Sequence, residues 1–198
     1  MKIKSAIFHT SAADIDGCPA WDLREFAFVG RSNVGKSSLI NMLSGKPGLA
    51  KVSALPGKTQ LLNFFRMNEA WSLVDLPGYG FAQVTKQRKY GFSELIKDYL
   101  EQRDNLSRVF VLIDSRLPPQ RIDLDFVGWL GACQVPFALV FTKADKLAAA
   151  KVQANIELFQ TAIGPEEQLE GEVIVSSSKT GSGRIGILKS IERSLQPD

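Results

Sequence analysis

Histidine occurs once in this chain of 198 residues, at His9, and cysteine twice, at Cys18 and Cys133. A single histidine leaves no His-based triad and no zinc cluster to build. Acid–base or metal chemistry must then rest on carboxylates, hydroxyls and ions that arrive with phosphate groups. Two distant cysteines without ligand spacing read as reduced structural thiols, the usage of a cytosolic protein. Nowhere do about 18 apolar residues run together, so no membrane-spanning helix is expected. The N-terminal stretch MKIKSAIFHTSAADI carries basic residues but no apolar run long enough for a secretion signal. The expectation is a cytoplasmic protein, taken as a monomer.

What is present is ordinary for a globular protein: 44% hydrophobic and 23% charged residues, enough for one core without staples. The expectation is one domain over 1–198, with a short N-terminal extension over 1–23. A net charge of +3 permits contact with RNA without arguing for it. Apolar, β-rich runs at 25–29, 61–67, 71–74, 109–114, 137–142 and 172–175 read as strands. Between them 36–43, 87–102, 122–130, 146–162 and 183–195 read as helices. Such alternation implies βαβ units and a mostly parallel sheet. Only Asn68, Glu69 and Ala70 separate the second run from the third, too few for a crossover, so those two strands form a hairpin. The predicted fold is α/β: a mixed, mostly parallel six-stranded sheet with one antiparallel strand and helices on both faces.

Ligands of such sheets bind beyond the carboxyl ends of the strands. Each chemical motif falls there. GRSNVGKS, residues 30–37, follows the first run and matches G-x-x-x-x-G-K-[ST], the loop whose backbone N–H groups cradle phosphates at a helix N-terminus. The phosphate-binding set is Gly30, Arg31, Ser32, Asn33, Val34, Gly35, Lys36, Ser37 and Ser38. Lys36 is predicted to reach the β- and γ-phosphates from the loop surface, and Ser37 to ligate Mg²⁺. DLPG, residues 75–78, follows the third run. Asp75 is placed to hold Mg²⁺ through water and the Gly78 N–H to approach the γ-phosphate, with Leu76 and Pro77 between them. Thr59, preceded by Gly57 and Lys58, is positioned between the first helix and the hairpin to offer Mg²⁺ a second hydroxyl. Lys36, Thr59 and Gly78 are thus the catalytic candidates around the γ-phosphate.

The base is read by Thr142-Lys143-Ala144-Asp145, after the fifth run. A carboxylate accepts both N1–H and the exocyclic amine of guanine, whereas adenine presents an acceptor at N1 and leaves the carboxylate unpaired. Lys143 is expected to lie across the phosphate loop. The same tetrapeptide also fits a helix N-cap. After the last run, Ser176, Ser177 and Ser178 are small enough to bring backbone N–H groups to the guanine carbonyl.

In their order, GRSNVGKSSLIN, PGKTQ, DLPGYG, DSRLPP and TKADKL resemble the EngB family of bacterial ribosome-assembly GTP-binding proteins, within the translation-factor-like P-loop GTPases. The likeness runs from about Phe26 to the C-terminal helix. The wider class carries asparagine where this chain has Thr142, and threonine there is similar to the EngB pattern. The resemblance implies GTP and GDP as ligands, Mg²⁺ as cofactor, and GTP hydrolysis coupled to maturation of the large ribosomal subunit. The subunit or its precursor, rRNA and proteins included, would be the partner. Older names tie the family to cell division, read here as downstream. The alternative is a GTP-dependent binding module for a protein target, with hydrolysis as a timer.

Signalling GTPases place a glutamine after D-x-x-G to orient water, and this chain has Tyr79. Slow intrinsic hydrolysis is the consequence, with Tyr79→Ala expected to change the rate by no more than about tenfold. Asn33 is the fourth catalytic candidate: it stands where related GTPases use asparagine to bind K⁺, an ion that could supply the charge an arginine finger supplies elsewhere, and an ordinary loop role is its alternative. Lys46, Lys51, Lys58, Lys86, Arg88 and Lys89 flank the nucleotide-sensing segments, either as a solvated face or as an rRNA-facing patch.

Overall fold

Strand β2 (Arg24–Gly30) shows why the sheet forms: every residue from Glu25 to Gly30 is buried. Successive side chains of a strand point to opposite faces. Phe26 and Phe28 therefore enter one core with Leu39, Ile40, Ile187 and Ile191. Ala27 and Val29 enter the other, with Tyr99, Phe126 and Phe159. A strand buried on both faces must sit mid-sheet under helices on each side.

The computed structural model describes residues 1–50, 61–80, 93–163 and 172–196. The remaining elements are β1 (Ala6–Ala12), α1 (Lys36–Ser44), β3 (Leu62–Met67), β4 (Trp71–Asp75), α2 (Glu94–Gln102), β5 (Leu106–Asp114), α3 (Arg121–Ala132), β6 (Phe137–Thr142), α4 (Ala149–Ile163), β7 (Glu172–Val175) and α5 (Arg184–Leu195). A 3₁₀ turn spans Ala144–Lys146. The sheet order is β1-β3-β4-β2-β5-β6-β7. β3 pairs antiparallel with both neighbours, while the other pairings are parallel, so β3 alone runs against the rest. The β3–β4 hairpin turns through Asn68 and Glu69, with φ of 51° and 57°. Ala70 N donates to Met67 O at 3.0 Å. Two successive positive φ values give the turn whose twist matches a hairpin.

The sheet has seven strands rather than the predicted six, and the additional one comes from the stretch read as an extension. β1 is an edge strand whose Ile7 and Phe8 stay half-exposed, so it carries no buried apolar run that a sequence pattern could reveal. The side chain of Asn68 ties it to the hairpin, accepting from Lys4 N at 2.6 Å and Ser5 N at 3.1 Å. The predicted helix over 87–102 is described from Glu94 onward, and its earlier part lies outside the described residues. The helix expected from 146 begins at Ala149.

The amino end of the sheet is fastened by one buried carboxylate. Glu25 accepts from Trp21 Nε1 at 2.7 Å, Tyr99 Oη at 2.8 Å and Arg103 Nη2 at 2.6 Å. Removing one member of a buried ion pair leaves the other charge uncompensated. Glu25→Ala should therefore lower stability by about 3–5 kcal/mol. Nucleotide affinity should stay unchanged, because the loops that follow the strands lie at the opposite end. Urea unfolding beside a fluorescent-GDP titration checks both, and wild-type stability would show that the carboxylate is dispensable.

Candidate functional site

The phosphate loop leaves β2 and enters α1 through two residues with positive φ, Asn33 at 63° and Gly35 at 106°. Gly35 caps α1 without a side-chain hydrogen bond, which leaves the first N–H groups of the helix directed at the loop's concave side. Lys36 and Ser37 open the helix, with Ser38 next. DLPG runs on from β4 alongside this loop: Leu76 N donates to Phe28 O at 3.0 Å and Tyr79 N to Gly30 O at 3.3 Å. Gly78 passes so close that an added Cβ would stand 3.3 Å from Gly30 O and 3.4 Å from Ser32 N. Leu76 is buried in the core, and Pro77 is buried beside it; their part is to steer the backbone.

Lys36 was expected at the loop surface. It is instead largely buried, its Nζ paired with Asp75 Oδ1. The reason is proximity: β4 lies next to β2, so the carboxylate ending one strand faces the helix that follows the other. Ser37 and Asp75 supply one hydroxyl and one carboxylate, a donor set that suits Mg²⁺, which fills its octahedron with phosphate oxygens and water. The described residues hold no group of three or more His, Cys, Asp or Glu side chains placed for a metal. Gly57, Lys58 and Thr59 lie outside the described residues, as do Lys51, Lys86, Arg88 and Lys89.

At the end of β6, the Thr142 side chain turns toward the phosphate loop. Its hydroxyl donates to Val34 O at 2.7 Å. Lys143, at φ 59°, sends its Nζ to Asn33 O at 2.7 Å and Asp114 Oδ2 at 2.8 Å. Its Cε comes within 3.8 Å of where a Gly35 Cβ would stand. Asp114 was a sequence feature without a role, and it anchors this lysine. Burial pulls the Asp114 carboxyl upward, but hydrogen bonds from Arg116 and Lys143 outweigh it and hold it at about 2. A depressed carboxylate contributes its stability above its ordinary value of 3.8 and loses it as pH falls toward about 2. The brace is therefore intact at any working pH.

Asp145 does not cap a helix. It sits in the 3₁₀ turn and accepts from Ser177 Oγ at 2.6 Å; that bond, foremost among several influences, holds its carboxyl below the usual range. Ala144 N donates to Ser176 O at 3.1 Å, so the two base-side loops are joined by main chain and side chain. Ser177 Oγ also accepts from Lys179 N and Thr180 N, and Ser178 follows in the same turn. Gly183 closes this loop: at φ 80° its Cβ would stand 2.5 Å from Val175 O, a place only glycine can occupy.

These contacts join all the described motif segments at the carboxyl ends of β2, β4, β6 and β7. A G-x-x-x-x-G-K-S loop that opens a helix beside D-L-P-G, with T-K-A-D joined to the loop after the last strand, is the architecture of a P-loop GTPase. Comparison with known proteins narrows the class. The family described as 50S ribosome-binding GTPase matches residues 25–143. The chain is 48% identical to a probable GTP-binding protein EngB of Bacteroides thetaiotaomicron over 97% of this chain and 95% of the relative. It is 50% identical to the corresponding protein of Christiangramia forsetii over 97% of each. Among solved structures, a probable GTP-binding protein engB covers 86% of this chain and 98% of its own at 23% identity and a TM-score of 0.68. Era in complex with MgGDPNP and nucleotides 1506–1542 of 16S ribosomal RNA covers 89% of this chain and 58% of its own, at 20% identity and a TM-score of 0.67. The chain belongs to the EngB family of GTP-binding proteins, and it is a GTPase.

Proposed function

We propose that this GTPase is a slow, nucleotide-dependent switch that acts on the large ribosomal subunit during its assembly. The observation that carries the reading is the match of residues 25–143 to the 50S ribosome-binding GTPases, on a site whose described loops interlock. The reaction is attack of water on the γ-phosphorus of GTP, giving GDP and phosphate. Lys36 neutralises the β- and γ-phosphate oxygens, the N–H groups of 30–37 hold them in line, and the Gly78 N–H meets the γ-phosphate. Ser37, Thr59 and, through water, Asp75 are the proposed holders of Mg²⁺, which when bound shields the charge between the phosphates. Thr142 fixes the loop from behind, and Lys143 spans it toward the base that Asp145 reads. Tyr79 is buried against Phe126, with ring centroids 4.7 Å apart. It is not placed to orient water, and positive charge for the transition state must come from another source.

Asn33 is the proposed ligand of a K⁺ ion that supplies this charge. Replacing K⁺ by Na⁺ should then slow single-turnover hydrolysis, and Asn33→Ala should abolish the difference. A wild type indifferent to the cation would leave a partner-supplied group as the source. The switch itself is tested by sedimenting cell extract with GTP or GDP. Co-migration with large-subunit particles under one nucleotide supports it, whereas absence from those particles under both favours a protein target. An effect on division is proposed as a consequence of failed assembly.

A further inference from the structure

Beneath the phosphate loop lies a buried polar pair that the reaction as described does not use. Tyr79, immediately after DLPG, and Asp123, in the first turn of α3, are each 2% exposed. The Tyr79 hydroxyl and Asp123 Oδ1 are both buried without a partner of strict hydrogen-bond geometry, yet the two side chains lie close enough to shift each other's titration. We infer that Asp123 is a positioning residue for GTP hydrolysis: its carboxylate holds the Tyr79 side chain in the core and so keeps the Gly78 backbone against the phosphate loop. The inference rests on the GTPase reading above.

Three restraints converge on Tyr79. Its main chain bridges to Arg31, its ring packs on Phe126, and its side chain interacts with Asp123, which is buried three residues before Phe126 on α3. Gly78, one residue back, is packed against Gly30 O and Ser32 N, so a shift of the tyrosine is transmitted to the group proposed to meet the γ-phosphate. An unpaired buried oxygen is costly, and a bond donated by the phenol to ionised Asp123 would lower that cost for both groups. Three groups face Asp123 from neighbouring elements: Tyr79, Arg31 of the phosphate loop and Asp114 of β5. Asp114 is already engaged by Arg116 and Lys143. On its own helix, Arg121 and Asp125 pair with each other at 3.8 Å on the exposed side.

Burial above all pushes the Asp123 carboxyl up to about 6; Asp114 adds to the rise, while Tyr79 and Arg31 oppose it. The group also lines a cavity of about 200 Å³ with Arg31, Asn33 and Arg116, which gives its proton a route to water. Above this value the carboxylate draws the Tyr79 hydroxyl and Arg31. As pH falls through it, the carboxyl loses its charge and accepts more weakly from both, and the restraint on Gly78 loosens.

Single-turnover GTP hydrolysis by wild type, Asp123→Asn and Tyr79→Phe, followed between about pH 5 and pH 8, tests this. The wild-type rate should fall about three- to tenfold as pH drops through the carboxyl's titration. Both variants should run flat, near the low-pH rate of the wild type, with GDP affinity unchanged. Tyr79→Phe keeps the ring on Phe126, so its profile decides the matter even if Asp123→Asn fails to fold. A flat wild-type profile overturns the inference, as does a Tyr79→Phe variant that retains the wild-type step. A wild type that binds no guanine nucleotide overturns the GTPase reading as well, a result distinct from a flat profile in a protein that hydrolyses GTP.

Discussion

Asp145→Asn should lose GTP affinity by roughly 10⁴-fold and gain affinity for xanthosine nucleotides. Guanine presents two donors, N1–H and the exocyclic amine, to the two oxygens of a carboxylate. Asparagine replaces one acceptor with an N–H₂ donor that meets the amine head-on, leaving two donors unpaired. Xanthine carries an oxygen at that position and accepts from the new donor. The substitution should be local, because Ser177 Oγ, 2.6 Å from Asp145 Oδ1, can still donate to an amide oxygen, though more weakly than to a carboxylate. Competition of GTP, xanthosine triphosphate and ATP against a fluorescent GDP analogue measures the change. Full GTP affinity in the variant, with no gain for the xanthine nucleotide, would show that Asp145 does not read the base.

Lys36→Ala should weaken nucleotide binding by roughly 10²–10⁴-fold, as expected from two charge-assisted bonds of about 1.5–3 kcal/mol each. It should also cost stability. The Lys36 and Asp75 side chains are 11% and 7% exposed, so truncating the lysine strands a buried carboxylate, at a cost of about 3 kcal/mol. The double variant Lys36→Ala, Asp75→Ala should recover most of that loss without recovering affinity. Fluorescent-GDP titration beside urea unfolding separates the two effects. Native affinity in the single variant would remove Lys36 from the phosphate site. Unchanged stability would mean that the Asp75 pair contributes nothing.

The central strands were legible because continuous apolar runs such as Phe26–Val29 require a central place in a sheet, and the edge strand β7 was legible from its own short run, Val173–Val175, although only Ile174 of it is buried. β1 was not legible: an edge strand with half-exposed Ile7 and Phe8 satisfies backbone pairing without a buried face. The start of α4 was displaced because Asp145 reads locally as a helix cap, whereas Ser177, 32 residues away, claims its carboxylate. The phosphate and base motifs were readable because their chemistry depends on short-range spacing. Their supports were not. Asp114 under Lys143 is 29 residues distant, and Asp123 beside Tyr79 becomes a neighbour only once α3 packs on the sheet. Lys36 looked like a free loop lysine because nothing local shows that β4 ends at its side.

Isothermal titration of the purified chain with GDP, GTP and ATP in Mg²⁺ tests the guanine-nucleotide assignment most directly. The expected result is one guanine nucleotide bound per chain, with no measurable binding of ATP at the same concentrations. ATP binding as tightly as GTP, or no binding of either guanine nucleotide, would contradict it.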